Sequence, residues 1–166
     1  MFDLVIIGGS AAATSAGIYA ARRGLNFKMI TKDFGGEVAT SGEVDNYPGI
    51  PGTNGIELAD KFKNHLANYG VIPEEGVGVK KIIRQADGTF LISAAKDGSE
   101  VDYSAKAVIV ATGVHPRELS VSGEKEFRNK GVSYCTVCDG PLFVGKIVAI
   151  VGGGNSALEA GLMMAD

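Results

Sequence analysis

Two stretches of this 166-residue chain carry the same local design. LVIIGGSAAATSA, from Leu4, and VAIVGGGNSALEA, from Val148, align without a gap, superposing Gly8 on Gly152 and Ala13 on Ala157. Each reads as an apolar β-branched strand, a tight glycine turn, and a helix with small residues on its inner face. In the first copy, AAATSAGIYAARRG closes on Arg22, Arg23 and Gly24, and LNFKMIT (25–31) supplies a second strand. Strand, glycine turn, helix and strand within about thirty residues is a βαβ unit, which commits the chain to a parallel sheet flanked by helices. The second copy starts at Lys146 and implies a second unit of the same kind, barely begun.

Between the copies the signals change. Residues 32–56, KDFGGEVATSGEVDNYPGIPGTNGI, read as loop. ELADKFKNHLANYG (57–70) has Leu58, Ala59, Phe62, Leu66 and Tyr69 at a helical period, with Gly70 as its stop. VKKIIRQ, TFLISAA and VDYSAKAVIVATG read as strands joined by the turns ADG and KDGS. The third begins as a hairpin arm and is expected to run into a buried strand, AVIV, ending at Ala111-Thr112-Gly113. A crossover segment, 114–145, then leads to a strand and helix over 146–166.

Charge and composition remove several function classes. Sixteen Lys and Arg against nineteen Asp and Glu leave a net charge of -3 and no basic footprint for nucleic acid. The start, MFDLVIIGG, lacks a basic leader region, and no apolar run approaches a bilayer's thickness, so neither a signal peptide nor a membrane span is expected. A soluble protein of the reducing cytoplasm is the expectation.

A glycine turn opening a helix has a specific chemical use. The first Gly makes the sharp turn, and the second lets backbone approach a pyrophosphate. A small third residue packs helix on strand while the helix N-terminus faces the phosphates. Gly152, Gly154 and Ala157 fit this pattern, with Asn155 and Ser156 opening the helix. The first copy keeps Gly8 and has Ala13 in third place, but Ser10 stands at the second position, where a hydroxyl can reach phosphate. The acidic residue that would hold a ribose hydroxyl is displaced: Thr31 and Lys32 end the second strand, and Asp33 follows as either a ribose ligand or a plain loop residue.

Both cysteines lie in SYCTVCDG, as Cys135 and Cys138. Zinc would need four ligands, and the chain offers only two distant histidines besides. A structural disulfide across so small a loop would constrain little. The spacing suits a redox dithiol, in which one thiolate attacks an external disulfide and its neighbour resolves the mixed disulfide. Asp139 follows directly, as a proton donor and acceptor or as a turn residue before Gly140-Pro141. His65 and His115 read as surface or loop residues and are assigned no chemistry; Arg22-Arg23 and Lys80-Lys81 read as solvated charge.

GVSYCTVCDGPLFVGKIVAIVGGGNSALEA, preceded by IIGGSAAATSAGIYAAR, FGGEVATSGEVDNYPGIPG and VIVATGVHPRELSVSGE, resembles the low-molecular-weight thioredoxin reductases and the related flavoprotein subunit of alkyl hydroperoxide reductase. The resemblance covers essentially the whole chain. It implies an α/β protein with a Rossmann-like FAD-binding domain (parallel sheet plus small β-meander, 1–113) and the beginning of a second, NAD(P)-binding Rossmann unit (114–166). FAD would lie with its pyrophosphate at Gly8 to Ala12. Gly35, Gly36, Glu37, Thr40 and Asn46 would line the flavin, the backbone near Val79 would meet the adenine, and Ala111-Thr112-Gly113 would cross the cofactor. Electrons would pass from NADPH (or NADH) to FAD, to the dithiol, and on to thioredoxin. Cys138 would face the flavin, Cys135 would attack the partner, and Asp139 would be the acid–base residue.

Glu37 stands where the family usually has glutamine, and a carboxylate there would disfavour a negatively charged reduced flavin. The family's second domain continues beyond the equivalent of Asp166, through the segment that reads the NADPH 2′-phosphate and a return segment that completes the FAD domain. The expectation is therefore an N-terminal half, either truncated or completed by a second chain, of a parent homodimer. Two other readings stay open: a relative serving a peroxiredoxin system or using ferredoxin, and a non-catalytic nucleotide-binding or assembly module.

Overall fold

In the computed structural model, which describes residues 1–165, the chain forms two units, Met1–His115 and Pro116–Asp166. The first opens with β1 (Phe2–Ile7), α1 (Ala11–Arg22) and β2 (Phe27–Ile30), the βαβ unit read from the repeat. A short α2 (Gly36–Thr40) follows, then the two-residue strands β3 (Glu43–Val44) and β4 (Thr53–Asn54), and α3 (Gly55–Ala67). The meander β5 (Val77–Arg84), β6 (Phe90–Lys96) and β7 (Ser99–Val110) completes the unit. The five-stranded sheet has the order β2-β1-β7-β6-β5, with β1 parallel to both β2 and β7 and the meander antiparallel. This is an α/β Rossmann-like fold.

β7 serves two roles along its length. Residues 99–105 pair with β6 across a two-residue turn at Asp97-Gly98, both at positive φ, the geometry that an Asp-Gly pair favours. From Ala105 onward β7 pairs instead with β1, from Phe2↔Ala105 to Ile7↔Val110. The expected burial of AVIV does not hold: Ile109 is 40% exposed and Val110 61%. Beyond Ala105 this arm has β1 on one edge and, among the described residues, no strand on the other.

Alternation along β1 sends its side chains to two cores. Leu4 and Ile6 pack with Ala13 and Ala20 of α1, Met29 and Leu66. Val5 and Ile7 pack with Ile30 and with Val77, Ile92, Ala94 and Ala105 of the meander. Full burial of each such aliphatic side chain contributes about 1.5–3 kcal/mol, so β1 is the best-secured strand of the unit. The helix expected at 57–70 starts earlier, at Gly55, because the Asn54 side chain caps it by accepting from Glu57 N–H at 3.0 Å. The segment read wholly as loop holds α2, β3 and β4, elements too short to show a period.

Segment 74–77 runs beside β2, with Thr31 N–H donating to Glu74 O (3.0 Å) and Val77 N–H to Thr31 O (2.9 Å). Glu74 receives both Lys28 and Lys96 at 2.8 Å. Lys28, then Lys96, holds its carboxyl down to a pKa of about 2 against partial burial.

The second unit contains α4 (Thr136–Asp139), a single 3-10 turn (Gly140–Phe143) and α5 (Asn155–Ala165). The strand expected over 146–151 is not formed. A strand's amides and carbonyls need a neighbour, and among its described residues this unit has no strand to provide one. Ile147 and Val151 are accordingly exposed. None of the described helices is long and apolar enough to cross a membrane.

Candidate functional site

At the C-terminal ends of β1, β2 and β7, three loops converge, the place where open α/β sheets bind ligands. Gly8 N–H donates to Ile30 O (2.9 Å), Ala111 N–H to Ile7 O (2.8 Å) and Gly35 N–H to Gly9 O (2.7 Å). Gly8 adopts φ +138°, and a Cβ there would fall 2.2 Å from Ala111 O. A Cβ on Gly9 would fall 2.6 Å from Thr31 Oγ1 and 2.8 Å from Asp33 O. The turn therefore excludes side chains because neighbouring loops lean on it. Thr31 braces one of them by donating to Asp33 O at 2.6 Å, a role for which the sequence offered no signal.

The turn delivers the chain to the start of α1. Ser10 is the N-cap residue, yet its side chain makes no capping hydrogen bond, and the first turn has no acidic residue. The end of a twelve-residue helix thus keeps its partial positive charge uncompensated by the protein. One turn further in, the buried Thr14 Oγ1 has no hydrogen-bond partner. Thr14 and Ala11 line a groove of about 540 Å³ with Tyr47 and Phe62. A side-chain-free turn, an uncapped helix end and an orphaned hydroxyl fit a dinucleotide's diphosphate.

The other candidate residues of this unit lie around the same loops. Gly35 is buried and Gly36 leads α2, while Thr40 turns its hydroxyl back onto Glu37 O at 3.0 Å. Asn46 is exposed in a loop that is pinned beside it, where Gly52 N–H donates to Asp45 Oδ1 (3.1 Å) and the Tyr47 ring packs at a tilt against Phe62. The Asp33 side chain is exposed. Val79 sits at a register shift in β5, two residues after the residue that bonds Thr31 O. Ala111 is half-buried, and Thr112 and Gly113 are exposed.

One partnership was missed. Glu37 Oε1 lies 2.6 Å from His115 Nδ1. The carboxylate expected to line a flavin is tied across two of the converging loops by a residue assigned no chemistry. Seventy-eight positions separate the two, so no local pattern could have linked them.

The dithiol belongs to the second unit. Cys135 and Cys138 form a disulfide. Cys135 is the N-cap of α4, its sulfur accepting from Cys138 N–H at 3.2 Å. Cys135 is half-buried and Cys138 exposed. Asp139 closes the same turn, and its Oδ2 accepts from Ser133 Oγ. Ahead of the pair, the buried Glu124 accepts from the N–H groups of Leu119 (2.7 Å) and Ser120 (2.6 Å) and from the Tyr134 hydroxyl. The Tyr134 hydroxyl, then the Leu119 N–H, holds the Glu124 carboxyl below its usual range, and Glu124 in turn pushes Tyr134 up to about 12. Arg128 lies over the Tyr134 ring, 5.3 Å from its centre. These contacts fix the chain one residue before the first cysteine.

The second glycine turn lies in the same unit. Gly152 takes φ +135°, with its missing Cβ 3.1 Å from Ala157 Cβ, the small third residue of the fingerprint. Gly154, Asn155 and Ser156 are exposed at the start of α5.

Comparison with known proteins agrees with this arrangement. The sequence profile of the pyridine nucleotide-disulphide oxidoreductases matches residues 2–166. An alkyl hydroperoxide reductase subunit of Escherichia coli (strain K12) is 39% identical over 166 residues, covering 99% of this chain and 31% of that protein. Thioredoxin reductase of Bacillus subtilis (strain 168) is 39% identical over 165 residues, covering 99% of this chain and 50% of that protein. The crystal structure of thioredoxin reductase from Streptococcus pyogenes MGAS5005 superposes with a TM-score of 0.82 at 36% identity, over 99% of this chain and 52% of that one. The chain thus spans about half the length of the thioredoxin reductases it matches, and about a third of the alkyl hydroperoxide reductase protein.

Proposed function

This chain belongs to the pyridine nucleotide-disulphide oxidoreductase family, and we propose that it is the FAD and dithiol portion of a disulfide reductase of thioredoxin-reductase type. The carrying observation is the Cys135–Cys138 disulfide at the head of a helical turn with Asp139 closing it. Residues 1–113 form the FAD-binding domain, and residues 114–166 begin the NAD(P)H-binding domain. When bound, FAD supplies the two-electron chemistry that links a reduced nicotinamide to a disulfide.

The residues divide the work. Gly8 to Ala12 and the α1 N-terminus hold the FAD diphosphate, and Asp33 a ribose hydroxyl. Gly35, Gly36, Glu37, Thr40 and Asn46 line the flavin side, Val79 meets the adenine, and Ala111 to Gly113 cover the cofactor. Gly152, Gly154, Asn155 and Ser156 hold the diphosphate of NADPH or NADH. Once the pair is reduced, the Cys135 thiolate attacks one sulfur of the partner's disulfide and expels a partner thiolate. The Cys138 thiolate then attacks the Cys135 sulfur, re-forms the internal disulfide and releases the second partner thiolate. Two protons leave the dithiol and two join the partner, with Asp139 carrying one. Thioredoxin or a thioredoxin-like protein in the cytoplasm is the acceptor, and a homodimer the assembly.

The test is an absorbance spectrum of the purified protein after FAD addition and gel filtration, followed by anaerobic photoreduction of the bound flavin and mass-spectrometric counting of alkylated thiols. Retained flavin and two new alkylations at Cys135 and Cys138 are expected. Flavin retained with the disulfide still intact would overturn the reductase reading, and a colourless protein would overturn FAD binding by this chain.

A further inference from the structure

Asp139 does not hang free beside the dithiol. Its Oδ2 lies 2.5 Å from Ser133 Oγ, and the same oxygen of Ser133 accepts from Cys135 N–H at 3.1 Å. A serine hydroxyl owns one proton. The other acceptor within reach of that proton, Cys135 O, is at 3.4 Å, so the shorter, charge-assisted bond to the carboxylate takes it. Donation by Ser133 fixes Oδ2 as an acceptor and leaves Oδ1 as the oxygen open to gain or lose a proton.

We propose that Ser133 is a positioning residue for Asp139: it clamps one carboxylate oxygen against the backbone of Cys135 so that the other faces the proton traffic of the dithiol. This rests on the redox reading of Cys135 and Cys138. Reduction of the disulfide by two electrons requires two protons, and their return on re-oxidation needs an acceptor held at the pair. Ser133 couples that acceptor to the very residue whose sulfur changes state. An unclamped Asp139 would share its charge with solvent through both oxygens and lose its fixed geometry.

Other titratable groups of the surrounding elements are few. Glu124 and Tyr134 precede the pair and are engaged with each other, Arg128 covers the Tyr134 ring, and Glu159 is the one charged residue on the described part of α5. α5 approaches the turn through Met164, whose sulfur lies 3.2 Å from the position of a Cβ on Gly140.

The experiment uses the protein after chemical reduction with dithiothreitol, so it needs no flavin. Alkylation rates of Cys135 and Cys138 by iodoacetamide are read by mass spectrometry from about pH 5 to about pH 10, a range that brackets thiol ionisation. The proteins compared are the natural chain, Ser133→Ala, Ser133→Thr, Asp139→Asn and the Ser133→Ala/Asp139→Asn double variant. Expected is a change of about threefold or more at neutral pH for Ser133→Ala, in the same direction as Asp139→Asn. Ser133→Thr keeps the natural profile, and the double variant matches Asp139→Asn alone. A Ser133→Ala profile that overlays the natural one overturns the proposal. So does a double variant in which the two effects add, since Ser133 would then act apart from Asp139. Failure of the reductase reading registers separately, as absence of new thiols in the natural protein after photoreduction of its bound flavin.

Discussion

At Gly8 and at Gly152 the backbone makes nearly the same turn, φ +138° and +135°, and a helix starts three residues later in each case. What surrounds the two turns differs at every matched position of strand and turn, 4–10 against 148–154. Ile6 is fully buried, while its counterpart Ile150 is 42% exposed. A Cβ on Gly8 would meet the backbone of Ala111, just past the neighbouring strand, whereas one on Gly152 would meet only its own helix, at Ala157. α1 buries Ala13, Thr14, Gly17 and Ala20; α5 buries none of its described residues. Even polarity inverts: Thr14 is buried, and the matched Leu158 is exposed. Turn and helix are local events, satisfied by their own backbone, and they form in both units. A strand takes its ladder hydrogen bonds from its neighbours, and among the described residues only the first copy has any.

The largest expected contrast is at the turn itself. Gly8→Ala places a methyl against Ala111 O at 2.2 Å and at a disfavoured φ, and is expected to cost about 3 kcal/mol or more in urea unfolding. Gly154→Ala meets nothing and should stay within about 0.5 kcal/mol. Equal effects would mean that the first turn is as open as the second.

Acid acts on both units, through Glu124 in the second and, with the larger shift, through Glu74 in the first. Glu74 is held near a pKa of about 2 in the folded first unit, against an ordinary value of 4.5. A folded-state value below the unfolded one stabilises above pH 4.5, and that contribution fades as pH falls towards 2. Thermal melts between about pH 2 and about pH 6 should show the first unit losing stability over this window, and Glu74→Gln should flatten the loss. An unchanged slope in the variant would assign acid sensitivity elsewhere.

The smallest contrast is one of sign. A Cβ at Gly17 would lie 2.9 Å from Leu66 Cδ2, but one at Gly161 would rest 3.8 Å from Ile150 Cδ1, an ordinary contact. Gly17→Ala should destabilise by about 1 kcal/mol, whereas Gly161→Ala should stabilise its helix by roughly 0.5–1 kcal/mol. Circular-dichroism melts would check both, and a shift of the same sign at the two sites would contradict the packing described for α1.

Local physics decided which parts could be read in advance. The βαβ opening, α3 and the meander with its Asp-Gly turn follow from period and turn chemistry within a few residues. α2, five residues long, has no period to detect. The strand expected over 146–151 has the right composition, but composition says nothing about whether a neighbour stands beside it. At the candidate site, the glycines and cysteines were legible because their chemistry demands that residue type. Glu37 with His115 was not, since two loops seventy-eight positions apart must meet; nor was Ser133 with Asp139, six positions apart, since the contact depends on the turn that α4 makes between them.

The double role of β7 bears on how the first unit is assembled. Its arm 99–105 zips onto β6 from a two-residue turn, while its arm 105–110 must capture β1 from the opposite end of the unit. Closing a loop of about 100 residues costs about 4 kcal/mol of chain entropy before any contact repays it. The meander is thus the natural nucleus, and the opening strand waits for a partner about a hundred residues further along the chain. Pulse-labelled hydrogen exchange during refolding should find amides of β6 and β7 protected before those of β1. The reverse order would place the nucleus in the βαβ opening.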